Sequence, residues 1–173
     1  SASGLTAPRF AAARDEILDR GYAKRISNIR IKRRGQNPVF LDLTDIAYKR
    51  FAWKKPGWGR ISLAHRLYQD MVSEYLKRDG WNTEIEAPTK ASDSGHRFDV
   101  LAWEDDTYLD FEITLSLSNV TENVRRAFDD ERIDGVVLVT KDNDAAVCEE
   151  RVKIELEVFQ GRVDVRPISR FFK

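Results

Sequence analysis

In the first third of the chain, apolar residues occur at helical spacing in some segments and in short strand-like runs in others. Residues 8–20 carry apolar side chains at helical spacing, which predicts a first helix. The isoleucine-rich residues 26–31 and the segment "VFLDL" at residues 39–43 are typical of strands, and a Gly-, Asn- and Pro-containing turn separates them. Thr44 then suits the cap of a short second helix. The pattern predicts a helix, hairpin, helix module over residues 1–55.

A longer series of elements follows a Gly-, Pro- and Lys-rich linker at residues 56–61. Ser62 begins a strongly amphipathic helix that ends at Gly80. Hairpin-linked strands come next, and then strands that alternate with helices, the first of which is predicted to start at Asn119 or Thr121 and to run to about Arg132. The segments assigned to strands are "WNTEIEA", "RFDVLAW", "TYLDFEITLS", "DGVVLVT" and "RVDVRPI". The order α-β-β-β-α-β-α-β predicts an α/β domain over residues 62–173, with a mixed β-sheet flanked by helices.

Composition narrows the class of protein. The 173 residues are 42% hydrophobic, which is enough for one core or for a small core with an appended module. No apolar run reaches the length of a membrane span, and the first residues lack a signal-peptide pattern. The single cysteine, Cys148, excludes a disulfide framework and a thiolate zinc site. We expect a cytoplasmic protein with no membrane partner, which could be a domain of a longer chain.

Charge is unevenly distributed, although the net charge is zero. Residues 1–60 hold 14 basic and 5 acidic side chains, a balance of +9. Residues 61–90 are close to neutral at −1, and residues 91–173 stand at −8. This asymmetry favours nucleic-acid contact by the basic part, and the alternative is a basic face that is simply solvated.

The predicted hairpin concentrates basic residues at its tip. We expect this hairpin and the segment after the second helix to contact the DNA backbone. The predicted DNA-binding residues are Arg30, Lys32, Arg33, Arg34, Lys54 and Lys55. Tryptophans in this chain favour packing roles, with the exception of Trp53 and Trp58, whose basic neighbours make base stacking worth testing.

Two acids interrupt otherwise apolar strands in "RFDVLAWEDDTYLDFEITLS". Strand alternation places Glu112 and Thr114 on one side, and Asp99 can meet them across a hairpin. Two nearby carboxylates repel each other unless a cation lies between them, and oxygen ligands suit Mg²⁺ or Mn²⁺. We therefore predict a divalent metal at Asp99 and Glu112. The alternative is that these acids lie on a solvent-exposed polar face of the hairpin and bind no metal.

This stretch resembles the PD-(D/E)XK nuclease superfamily. Asp99 matches the family's first acid, and Glu112-Ile113-Thr114 stands at the place of its acid-spacer-lysine motif, thirteen residues later. The resemblance covers residues 62–140 and is greatest to the restriction-endonuclease-like and Holliday-junction-resolvase-like branches. It implies an αβββαβ core, Mg²⁺ or Mn²⁺ as cofactor, and DNA, double-stranded or branched, as partner. The implied catalytic residues are Asp99, Glu112, Thr114, His65 and Gln69.

The N-terminal module resembles the partial winged helix that precedes such nuclease domains in archaeal and mobile-element proteins. The resemblance also implies homodimers, because many relatives cut two strands as pairs. Two departures weaken the match: Thr114 replaces the motif lysine, and Ala64 replaces a common acid before His65. Lys90 is the nearest lysine in sequence that could substitute. The chain is thus expected to be either a metal-dependent deoxyribonuclease or a degenerate relative that binds DNA without cutting.

Other functions remain as alternatives. The −8 balance of the C-terminal part suits a non-catalytic interaction domain of a larger DNA-processing or mobile-element protein, docked on a subunit such as a translocase ATPase. A small-molecule enzyme is not favoured, because the sequence has no phosphate-binding glycine loop, dinucleotide fingerprint or nucleophile elbow.

Overall fold

The protein forms two compact units. The computed structural model describes residues 6–26, 40–54, 62–90 and 96–172. The first two ranges belong to one unit and the last two to the other. The predicted hairpin corresponds to the wing of a winged helix, and its tip lies outside the described residues. The linker at 56–61 and Lys55 also lie outside them.

The N-terminal unit contains two helices and a two-stranded antiparallel sheet. Its elements are α1 (Ala7–Asp19), β1 (Ala23–Ile26), β2 (Phe40–Leu43) and α2 (Asp45–Arg50). Gly21 follows α1 at φ +66°, a conformation that glycine adopts without strain. Thr44 caps α2, because its hydroxyl accepts a hydrogen bond from Ala47 N and donates one to Gly21 O. These described elements agree with the predicted order, while the winged-helix assignment stays a prediction.

The C-terminal unit is α/β, as predicted. Its main elements are α3 (Leu63–Arg78), β3 (Asn82–Pro88), β4 (Arg97–Glu104), β5 (Thr107–Thr114), α4 (Val120–Phe128), β6 (Gly135–Thr140), α5 (Ala145–Glu155) and β7 (Val163–Pro167). Short 3-10 helices precede α4, follow α5 and close the described chain at Ile168–Phe171. The element order matches the sequence prediction. Within the described residues, no helix is long and apolar enough to cross a membrane.

The sheet is mixed, with strand order β3-β4-β5-β6-β7. The first three strands are antiparallel neighbours, and β6 and β7 join in parallel. Strand β6, "GVVLVT", is buried at every position, as a strand covered on both faces requires. The predicted mixed sheet flanked by helices is confirmed, while the restriction-endonuclease-like core stays a prediction.

Helices flank the sheet on both faces. Phe111 of β5 packs against Phe171, which in turn contacts Tyr75 of α3. The next residue of β5, Glu112, instead contacts Asn123 of α4. Because consecutive strand residues point to opposite faces, α3 and α4 cover opposite faces of β5.

The fourth helix of the chain ends earlier than expected. The sequence predicts a helix to about Arg132, whereas α4 ends at Phe128. Asp130 explains the difference, because its buried carboxylate accepts hydrogen bonds from the Arg132 side chain and from Lys90 N. These contacts tie the chain after α4 to the loop that follows β3.

Candidate metal centre

Asp99 occupies the point at which β4 and β5 stop pairing. The ladder between these strands ends with Val100 opposite Phe111, and beyond it the Asp99 carboxylate replaces a main-chain partner. Asp99 Oδ2 accepts a hydrogen bond from Ile113 N at 2.8 Å. The acid is therefore held by the backbone of the strand that carries the other predicted site residues.

Helix α3 brings two further side chains to Asp99. His65 and Gln69 lie one turn apart and so share one side of the helix. His65 Nε2 lies 2.7 Å from Asp99 Oδ1, and Gln69 Nε2 donates to the same oxygen at 3.0 Å. Ser62 fixes the start of this helix by accepting a hydrogen bond from His65 N.

Glu86 of β3 completes the group, although the sequence prediction did not include it. Gln69 Nε2 donates to Glu86 Oε1 at 2.5 Å. Glu86 has φ +57°, a left-handed conformation that costs a non-glycine residue roughly 1–2 kcal/mol. Glu84 lies two residues earlier on the same strand and is exposed. The left-handed conformation therefore occurs at the glutamate that contacts Gln69.

His65, Glu86 and Asp99 together offer one nitrogen and two carboxylate oxygens within 4.8 Å of one another. Their side chains are partly buried, with 13% of the Asp99 side chain and 22% of the His65 side chain exposed. Gln69 Oε1 is buried beside them and has no hydrogen-bond partner in the described part of the chain. This donor set fits a divalent cation, since carboxylates suit Mg²⁺ or Mn²⁺ and imidazole favours the transition metal.

Glu112 lies close to this group without being one of its three members. Its carboxylate accepts a hydrogen bond from Asn123 Nδ2 of α4. Burial raises the pKa of Glu112 well above its usual value, and the negative charge of Asp99 raises it further. The predicted metal pair of Asp99 and Glu112 stays a prediction, and the three residues whose ligand atoms converge in the structure are His65, Glu86 and Asp99.

Asp110 adds a second buried acid to β5. Burial raises its pKa well above the usual value, with Asp99 as the next contribution. Among the described residues, no lysine or arginine forms an ion pair with Glu86, Asp99, Asp110 or Glu112. No lysine or arginine of the described ranges therefore offsets the carboxylates of Glu86 and Asp99, while burial favours the neutral forms of Asp110 and Glu112.

The position of the missing motif lysine is closed to solvent. Thr114 is buried, and its hydroxyl has no hydrogen-bond partner within the described ranges. Lys90, the substitute suggested by the sequence, donates its main-chain N–H to Asp130 in the segment after α4. A lysine that does reach the end of β5 is Lys141, whose Nζ donates to Leu115 O at 2.9 Å.

The two acids of helix α3 lie outside the cluster of His65, Glu86 and Asp99. Asp70 pairs with Arg66 and Glu74 with Lys77, and both acids are exposed. Of the predicted DNA-binding residues, the structure describes only Lys54, which is exposed after α2. The predicted wing residues Arg30, Lys32, Arg33 and Arg34 lie outside the described residues.

Known proteins add little to these observations. No protein-family model matches the chain, and no curated protein matches it. Among solved structures, the chain is similar to the crystal structure of a protein of unknown function, AF1548, with 13% identity and a TM-score of 0.43. The match covers 61% of this chain and 58% of AF1548, so this chain spans less than two thirds of the length of AF1548. A likeness at this level carries no argument about function.

Proposed function

We propose that residues 62–172 form a nuclease-like module that holds a divalent cation at His65, Glu86 and Asp99 and hydrolyses DNA. The observation that carries the proposal is the convergence of these three ligand atoms within 4.8 Å, next to the raised-pKa carboxyl of Glu112. The resemblance of Asp99 and Glu112 to the PD-(D/E)XK motif supplies the reaction class. DNA as partner is supported by the basic N-terminal part of the chain.

A bound cation would activate water and offset the charge that develops on the phosphodiester. The protein's own residues would orient that chemistry. Asp99 is fixed by Ile113 N, and His65 and Gln69 are fixed by their helix, so the ligands are held before binding. Burial, and then the charge of Asp99, raise the pKa of Glu112 well above its usual value, which suits a carboxyl that gives up a proton during the reaction. The His65 nitrogen favours Mn²⁺ over Mg²⁺.

One observation favours a second candidate, DNA binding without cleavage. Thr114 is buried and cannot supply the cation that the family's lysine offers to the attacking water. No described lysine or arginine pairs with the site acids in its place. A site of this kind would bind a metal and nucleic acid while turning over slowly or not at all.

Cleavage of labelled single-stranded, linear double-stranded and four-way-junction DNA in Mn²⁺ or Mg²⁺ separates these candidates. We expect Mn²⁺-dependent cleavage that Asp99→Ala, Glu112→Ala and Glu86→Gln abolish. Glu84→Gln is the matched control on β3, because Glu84 is exposed and outside the cluster. Activity that survives Asp99→Ala and Glu86→Gln would overturn the proposed site. Tight DNA binding by an inactive wild-type protein would support the second candidate.

A further inference from the structure

The N-terminal unit exposes two stacked aromatic rings directly after α2. Phe51 and Trp53 stack with ring centroids 4.9 Å apart and an angle of 27° between their planes. Phe51 is 46% exposed and Trp53 is 53% exposed, although aromatic rings of this size are usually much more buried. Tyr22 supports Phe51 from the side by an edge-on contact at 5.3 Å. The pair is thus held from one side and open to solvent on another.

The backbone fixes this arrangement. Helix α2 ends in a turn in which Trp53 N donates to Tyr48 O, while Ala52 N donates to Lys49 O. Ala52 takes the left-handed conformation, φ +52°, in which glycine is usual. This turn folds Trp53 back onto Phe51. The rings are therefore pre-positioned, and strained backbone of this kind often marks functional surfaces.

Basic residues flank the two rings in the sequence. Lys49 and Arg50 precede them, Lys54 follows them, and all three are exposed. None of the three forms an ion pair within the described ranges, whereas Lys24 in the same unit pairs with Asp42. The aromatic pair is thus flanked in the sequence by three exposed cations without an ion pair in the described ranges.

We propose that Phe51, Trp53, Lys49, Arg50 and Lys54 form a surface that binds single-stranded nucleic acid by base stacking. Bases present apolar faces that stack on aromatic rings whatever their sequence, and the backbone phosphates match the cations. Duplex DNA fits less well, because its bases already stack on each other. A protein partner is disfavoured, since the core of a protein interface is depleted of lysine. This inference deepens the proposed role in DNA binding, on which it rests, and uses no residue of the metal centre.

Fluorescence anisotropy with labelled oligo(dT), and with an abasic oligomer of equal length, tests the surface directly. The abasic strand keeps the phosphates and lacks the bases. We expect Trp53→Ala to weaken oligo(dT) binding roughly 5- to 100-fold and to leave binding of the abasic strand nearly unchanged. Trp53→Phe should retain most of the affinity. Lys54→Gln should weaken both strands alike, because it contacts phosphate.

Matched controls keep the result specific. Phe10→Ala removes another exposed aromatic ring of the same unit, on α1, and should change neither affinity. Measurement in EDTA excludes metal chemistry, so failure of the proposed nuclease activity would not alter the outcome. An oligo(U) arm reports whether the sugar matters, and weaker binding of oligo(dT) or oligo(U) by Trp53→Ala supports the surface. Unchanged oligo(dT) and oligo(U) binding in Trp53→Ala, or an equal decrease on the abasic strand, would overturn it.

Discussion

At the residue scale, Glu86 is the site residue that sequence reasoning missed. In "WNTEIEA" both Glu84 and Glu86 fall on the same side of a regular strand, and nothing in the pattern separates them. The left-handed backbone at Glu86 separates them in the structure, because Glu84 stays exposed while Glu86 meets Gln69. Strand periodicity assumes a regular extended backbone, so it cannot predict where the side chain of a single residue in a left-handed conformation lies.

The strain at Glu86 can be measured. Glycine adopts positive φ freely, whereas alanine does not, so Glu86→Gly should be about 1 kcal/mol more stable to unfolding than Glu86→Ala. Both variants lack the carboxylate, so the comparison isolates the backbone. Urea denaturation gives the two free energies of unfolding.

The same pair of substitutions at Glu84 is the control. Glu84 is not among the described residues at positive φ, so Glu84→Ala should be more stable than Glu84→Gly, by roughly 0.5–1 kcal/mol. The same ordering of alanine and glycine at both positions would show that Glu86 carries no backbone strain.

The other members of the cluster were accessible from sequence by different routes. Asp99 stood out as an acid inside an apolar strand, and the structure places it at the end of the β4–β5 ladder. His65 and Gln69 were implied by the family resemblance, and both contact Asp99. The pairing of Asp99 with Glu112 in one metal site stays a prediction, since side-chain distances across a diverging strand pair do not follow from alternation.

At the element scale, order was easier to predict than element ends. Apolar spacing distinguished helices from strands throughout the C-terminal unit, and the mixed sheet followed from hairpins placed before crossovers. The end of α4 was predicted too late, because the residues after Phe128 remain compatible with helix. The contacts of Asp130 with Arg132 and Lys90 decide the end, and these are tertiary contacts that no local pattern encodes.

Asp130 also makes stability depend on pH. Its hydrogen bond with Arg132 lowers the pKa of Asp130 to about 2, below the unfolded value of 3.8. A carboxyl with a depressed pKa in the folded state stabilises the fold above its unfolded pKa, and this stability is lost as pH falls from about 5 toward 2. Asp130→Asn should therefore cost about 2 kcal/mol at neutral pH and give a shallower acid limb.

Denaturation at a series of pH values checks this expectation. Asp129→Asn is a matched control, because the neighbouring Asp129 is exposed and forms no ion pair within the described ranges. An acid limb of the same steepness in Asp130→Asn and wild type would show that Arg132 does not stabilise the Asp130 carboxylate in the folded protein.

At the scale of the whole molecule, opposite charges are separated along the chain. The first 60 positions carry a balance of +9 and the positions after 90 a balance of −8, and the candidate metal centre lies outside the basic part. An acidic surface repels DNA except where a cation is bound, so the basic unit would have to supply most of the attraction. This uneven charge is read directly from the sequence. The basic tip of the predicted wing lies outside the described residues.

Salt dependence tests this division. DNA affinity should fall steeply with salt, and replacing Arg30, Lys32, Arg33 and Arg34 with Ala should reduce the slope of log K against log salt by roughly 0.9 for each phosphate that the variant no longer neutralises. Replacing exposed Arg9 on α1 serves as a single-charge comparison. An unchanged slope in the quadruple variant would remove the wing from the DNA surface.

A calorimetric titration with Mn²⁺ tests whether His65, Glu86 and Asp99 bind a divalent cation. We predict one site in the wild-type protein, an affinity at least about tenfold lower in Glu86→Gln and in Asp99→Asn, and no change in Glu84→Gln. Binding that is absent in the wild type, or equally strong in all four proteins, would contradict the claim.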